Sequence, residues 1–235
     1  IAEQDMKAEH RYIPPMNSCT REPFTQKVAI IGAGPAGMSC AYFLAIEGYK
    51  PVVFEKEAAP GGMLVNGIPA FRVDKAVVNS EIEVLREMGV EFRCGVEVGR
   101  DVTIQQLRNE GYKAFYVAVG LQKATALGIE GEQLKGVTGG LDFLRRVNAG
   151  EAVQLKGDTI VIGGGNAAID VARTALRKGK GKVQMFCLEK DEDMPTVPEE
   201  KNAGLEDGVV INNCWGPKRI IGEKGKVTGV EFMRC

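Results

Sequence analysis

The sequence predicts an α/β chain built from two Rossmann-like dinucleotide-binding units, and three observations point there. First, Ile30-Ile31-Gly32-Ala33-Gly34-Pro35-Ala36-Gly37 and Val161-Ile162-Gly163-Gly164-Gly165-Asn166-Ala167-Ala168 are two glycine-rich fingerprints. Second, each follows a β-branched run and opens a helix-like stretch. Third, each is followed by another β-rich run with an acid at its end, Glu55 and then Glu189. Glycines let a pyrophosphate approach the backbone, and the helix start offers free N–H groups. A lone fingerprint is weak, so the ordered context carries the reading. Two loops imply two dinucleotides, and holding both in one polypeptide suits electron transfer between them.

The elements follow in order. Residues 1–26 contain Pro14-Pro15 and Pro23 and read as an extended arm. Lys27–Ile31 reads as a buried parallel strand, Met38–Gly48 as a helix and Pro51–Glu55 as a second strand. Glu55 stands about 20 residues past the loop, where a carboxylate takes a ribose hydroxyl. Pro60-Gly61-Gly62 breaks the chain. Val73–Met88 has amphipathic helical spacing. Val90–Cys94 and Val96–Val98 read as strands, Thr103–Glu110 as a helix and Ala114–Gly120 as a buried strand. Leu121–Gly136 reads as a linker and Leu141–Val147 as a short helix. On this reading the first unit spans residues 27–150 and the second 151–235. In the second, Thr159–Ile162 and Val183–Cys187 are strands around a helix at Ala167–Arg177, with Ala168 at the third glycine position. Two β-rich runs flank a hairpin-like Gly222-Glu223-Lys224-Gly225 turn.

Composition narrows the function. The 235 residues are 44% hydrophobic and 26% charged with net charge −1, so nothing suggests nucleic acid or an anionic membrane. No apolar run is long enough to span a bilayer. Cys19, Cys40, Cys94, Cys187, Cys214 and Cys235 form no CxxC and no metal-ligand spacing, which argues for reduced cytoplasmic thiols. No metal site and no catalytic side chain are expected. His10 is the sole histidine and lies in the arm.

Several motifs together resemble a known family. They are Gly32-Ala33-Gly34-Pro35-Ala36-Gly37, Phe54-Glu55-Lys56, Gly61-Gly62-Met63, Gly67-Ile68-Pro69-Ala70-Phe71-Arg72, Gly163-Gly164-Gly165-Asn166-Ala167-Ala168-Ile169-Asp170 and Met194-Pro195. They are similar to the pyridine-nucleotide-dependent flavoprotein module of the glutamate synthase small subunit, dihydropyrimidine dehydrogenase and related ferredoxin:NADP reductases. The resemblance runs over residues 10–235.

The resemblance implies FAD in the first unit and NAD(P)H in the second. It implies hydride transfer to the flavin, then electron steps to iron–sulfur clusters in missing domains or partner subunits. Gly32, Gly34, Pro35, Ala36, Gly37, Glu55 and Lys56 would form the FAD loop and its acid. Gly62, Met63, Leu64 and Arg72 would line the flavin and its phosphate side. Arg72 would pair with a phosphate; the alternative is a surface salt bridge. Val98 would meet adenine through its backbone, or merely pack as a strand residue. Gly120 would let the following segment approach FAD, or simply end a strand. Gly163, Gly165, Asn166, Ala167 and Glu189 would bind the nicotinamide nucleotide. The family's closing FAD segment and its cysteine-rich domain are not found here, so a truncated, middle piece is expected. The competing reading is a non-catalytic nucleotide-binding or assembly piece.

Coenzyme choice also follows from the resemblance. NADPH-using members commonly carry Tyr-Arg-Arg where this chain has Cys187, Leu188 and Glu189. A carboxylate there accepts hydrogen bonds from a free 2′-OH and repels a 2′-phosphate, so NADH is expected. Lys190 and Arg173 are nearby cations that partly offset this.

Overall fold

The computed structural model describes residues 12–17, 22 and 24–235. His10, Cys19 and Pro23 lie outside them, as does most of the expected arm. The chain divides into two compact units, one ending at Gln122 and one running from Lys123 to Cys235.

In the first unit, β1 (Lys27–Ile31), β2 (Val52–Glu55), β3 (Glu91–Cys94) and β4 (Tyr112–Val117) form one parallel sheet in the order β3-β2-β1-β4. Strand order reverses at β1. In open parallel sheets that reversal leaves a crevice beyond the carboxyl ends of the strands, where ligands bind. Alternate residues of β1 serve opposite faces. Ile30 packs with Ala41, Ala45, Val53 and Leu85, whereas Ala29 packs with Val52, Phe54, Leu107 and Tyr112. The helices are α1 (Pro35–Ile46), the one-turn α2 (Met63–Asn66), α3 (Lys75–Glu87) and α4 (Ile104–Asn109). Asp74 caps α3 by accepting from Ala76 N at 2.8 Å. Thr103 and Gln106 close a capping box on α4.

Ile13 and Met16 of the expected arm pack on the cluster beneath α1. The expected strand at Val96–Val98 does not form; Val98 makes only an isolated bridge to Val102. Its backbone is diverted: Gly95 N donates to Glu57 O and Val96 N to Glu55 O, both at 2.9 Å.

The second unit holds a parallel sheet of β5 (Thr159–Ile162), β6 (Val183–Phe186) and β7 (Val210–Asn212), with α5 (Gly140–Asn148), α6 (Asn166–Lys178) and α7 (Pro198–Glu206). β8 (Trp215–Glu223) and β9 (Lys226–Arg234) pair antiparallel. Lys224 and Gly225 join them with φ of 50° and 76°, the paired positive values of a tight hairpin turn. Phe186 stacks on Phe232 at 4.0 Å, seating the hairpin on β6.

The boundary between units falls earlier than residue 150. Phe143 and Leu144 of α5 join Val161, Ile169, Ala172 and Met185 in one buried cluster. The segment expected to be a linker is tied to the hairpin: Ile220 N donates to Glu130 O, Lys135 N to Gly225 O and Val227 N to Lys135 O. Residues 123–150 thus pack with the second unit. Among the described residues, no helix is long and apolar enough to cross a membrane.

Candidate dinucleotide-binding sites

The first loop sits at the carboxyl end of β1, and its three glycines have three different surroundings. Gly32 has φ +105°, and a Cβ there would stand 2.3 Å from Ala118 O at the end of β4. Gly37 lies within α1, where a Cβ would meet Gly32 O at 1.9 Å. Neither position has room for a side chain. Gly34 is different: the nearest atom to its ideal Cβ is Gly62 Cα at 3.9 Å. That space faces the start of α1, which has no side-chain cap. Pro35 has no N–H, and the amides of Ala36 and Gly37 belong to the first turn, whose donors lack helical partners. The loop therefore keeps an open cradle for an anion beside its middle glycine.

Glu55 ends β2 and is 4% exposed. Its Oε2 accepts from Ala33 N at 2.7 Å and its Oε1 from Glu57 N at 2.9 Å. The carboxylate thus holds the glycine loop as well as facing the cleft. Each oxygen retains a second lone pair for an outside donor.

A cleft of about 280 Å³ lies here. Gly32, Gly34, Pro35, Ala36, Glu55, Lys56, Gly62, Met63, Val98 and Gly120 line it. Gly37 packs beneath the loop instead, and Leu64 and Arg72 are outside the lining. Arg72 is exposed on the turn before α3. The cleft also takes in Val96, Glu97, Ala118, Val119 and Gln122, which sequence reasoning missed. Their one available signal was position: all follow the carboxyl ends of β3 or β4.

The second loop repeats the plan at the end of β5. Gly163 has φ +139°, and its ideal Cβ meets Ala168 Cβ at 3.3 Å, so alanine is accommodated at the third position. Gly165 has nothing within 4 Å of its ideal Cβ, and α6 starts there without a side-chain cap. Glu189 reaches this loop: its Oε2 lies 2.7 Å from where a Cβ on Gly164 would stand. Asn213 holds that strand end, its Nδ2 donating to Glu189 O at 3.2 Å and contacting Cys187 Sγ at 3.3 Å. Burial pushes the Cys187 thiol pKa up. Asn166 Oδ1 accepts from Thr196 Oγ1 at 2.6 Å and Val197 N at 2.9 Å, tying the loop to the segment before α7. Ala167 continues the first turn of α6. Arg173 is turned to other work: its Nε donates to Asp207 Oδ2 at 2.7 Å, and it pairs with Glu200 at 3.4 Å.

Both loops fit a dinucleotide by the same test. Each combines a helix start, a middle glycine whose missing Cβ leaves free space, and a strand-end carboxylate beside the loop. The model of the pyridine nucleotide-disulphide oxidoreductase family matches residues 26–230. The chain belongs to that family. Family members bind FAD and NAD(P)H, in keeping with the two loops.

Two relatives and one solved structure are similar to the chain. The NADP(+)-dependent formate dehydrogenase subunit beta of Moorella thermoacetica is 39% identical over 89% of this chain and 30% of its own length. The glutamate synthase [NADPH] small chain of Halomonas elongata is 41% identical over 89% of this chain and 46% of its own length. The resemblance to the glutamate synthase small subunit is thereby confirmed. The chain spans less than half the length of these two relatives. A variant of FprA from Mycobacterium tuberculosis superposes with a TM-score of 0.75 at 20% identity, over 91% of this chain and 64% of that one, which establishes the shared fold.

Proposed function

We propose that this chain is the electron-entry module of a flavin-dependent NAD(P)H oxidoreductase, with FAD at the Gly32 loop and the nicotinamide nucleotide at the Gly163 loop. The observation that carries this reading is the duplicated open cradle, with free space at Gly34 and Gly165 in loops otherwise filled. When bound, the two cofactors supply hydride transfer and onward release of electrons. The chain's own residues bind and orient. The α1 and α6 starts take the pyrophosphates, Glu55 takes the adenosine ribose of FAD, and Met63, Val98 and Gly120 shape the walls of the FAD cleft. No side-chain acid or base is assigned. The electrons pass to an iron–sulfur domain or subunit; the Moorella relative's name, a subunit of a larger enzyme, supports a partner. The cytoplasm is the proposed setting, where thiols such as Cys40, Cys94, Cys187 and Cys214 stay reduced.

The test is anaerobic titration of the intact protein with reduced nicotinamide nucleotide while the visible flavin band is followed. Bleaching of that band supports the reading. Absence of bound flavin refutes it, and bound flavin that no nicotinamide nucleotide reduces points to an assembly role.

NADH over NADPH is the finer proposal. Glu189 reaches the second loop, and Arg173, the cation expected to offset it, is paired with Asp207 and Glu200. Against it, both relatives above carry NADP(+) or NADPH in their names. A tenfold preference needs only about 1.4 kcal/mol. Steady-state kcat/KM with each nucleotide decides: equal or better use of NADPH overturns it, and a shift towards NADPH in the Leu188→Arg, Glu189→Arg double variant supports it.

A further inference from the structure

Helix α3 opens on a placement that local helix rules oppose. Lys75 is the first residue of α3, and that first turn holds no acid. A cation at a helix N-terminus faces the positive end of the helix dipole. The side chain is also half-buried, and desolvation lowers its pKa. Breaches of a local rule that carry a compensating contact mark positions where tertiary structure asks for the residue.

The compensation is visible. Lys75 Nζ donates to Leu64 O at 2.6 Å and to Ile68 O at 2.5 Å. These carbonyls belong to α2 and the turn just after it. A four-residue helix is far too short to hold itself, because nucleation costs more than one turn returns. α2 is anchored at its start, where Gly61 N donates to Ala33 O at 2.8 Å and Gly62 packs against Gly34. Its far end closes through Gly67 N and Ile68 N, both donating to Met63 O. Lys75 joins that end to α3. Met63 lies between the two anchors, its side chain folded over Gly67 while lining the cleft. A cation also complements the C-terminal, carbonyl end of α2.

We propose that Lys75 is a positioning residue for the flavin: by bridging Leu64 O and Ile68 O it holds Met63 against the cleft. This rests on the assignment of FAD to the first unit. Lys75 touches no cofactor atom in this scheme and acts through α2.

The test uses the intact protein with Lys75→Met, which removes the donors, and Lys75→Arg, which keeps a cation with several donors. FAD is titrated into each apoprotein, the visible circular dichroism of the bound flavin is recorded, and amide exchange of residues 63–68 is measured without FAD. The expected result is a Kd for FAD raised at least tenfold in Lys75→Met, an altered flavin signal and faster exchange at 63–68. Lys75→Arg is expected to return the Kd to within threefold. Binding within twofold of wild type and an unchanged signal in Lys75→Met overturn the proposal. So does a loss that Lys75→Arg fails to reverse. A wild-type protein that takes no FAD overturns the flavin assignment itself, and the exchange data then report separately whether Lys75 holds the segment.

Discussion

Gly34→Ala separates binding from folding at the first loop. The new methyl group would sit 3.9 Å from its nearest neighbour, Gly62 Cα, an ordinary van der Waals distance. Gly34 has φ −78° and ψ −178°, an extended conformation alanine adopts freely. The apoprotein should therefore be unharmed, and reduced freedom of the unfolded chain should stabilise it by up to about 0.4–1 kcal/mol. The same methyl group occupies the cradle beside the first-turn amides. Displacing a phosphate oxygen from one such amide removes a hydrogen bond to a charged group, worth about 1.5–3 kcal/mol. At about 1.4 kcal/mol per tenfold, FAD affinity should fall roughly 10- to 150-fold. The assay pairs urea denaturation of the apoprotein with FAD titration by flavin fluorescence. An unchanged Kd refutes the placement of the pyrophosphate. A weakened Kd accompanied by equal destabilisation of the apoprotein refutes the claim that this space is reserved for a ligand. Gly165→Ala should act likewise on the nicotinamide nucleotide, since nothing lies within 4 Å of that position.

Gly37→Ala should do the reverse. With a Cβ forced to 1.9 Å from Gly32 O, overpacking should cost about 1–3 kcal/mol or more and lower Tm by roughly 2–4 °C per kcal/mol, measurable by calorimetry without any ligand. Glu55→Gln turns an amide NH₂ towards one of two backbone donors, Ala33 N or Glu57 N; a loss of about 1.5–3 kcal/mol in apoprotein stability by urea denaturation is expected, alongside weaker FAD binding. Asp207 sets an acid dependence. The Arg173 hydrogen bond, with help from Arg177, holds its carboxyl below the usual range. A depressed native pKa means the stabilisation is present above the unfolded value near about 3.9 and is lost as pH falls through the native one. The Tm gap between wild type and Asp207→Asn should accordingly be widest above about pH 5 and close below the native pKa.

Much of this architecture was legible because its causes are local. A buried strand, a glycine turn and a helix leave periodic marks within a dozen residues, and both units were readable from them. Glu55 was recognisable by its spacing from the loop. Other features required the tertiary structure, because they join residues far apart in the chain. Glu55 spends both oxygens on backbone amides, one of them 22 residues away. Asn166 is held by Thr196, 30 residues on. Lys75 reaches back to Leu64 and Ile68 against its own helix dipole. The segment after Gln122 carries no strong periodicity, and its backbone bonds to the hairpin tie it to the second unit. Val96–Val98 has a strand's composition, yet the amides of Gly95 and Val96 turn to Glu57 O and Glu55 O instead of a ladder. Composition and period specify which local conformation is cheap; the contacts that select among such conformations exist only once distant segments have packed.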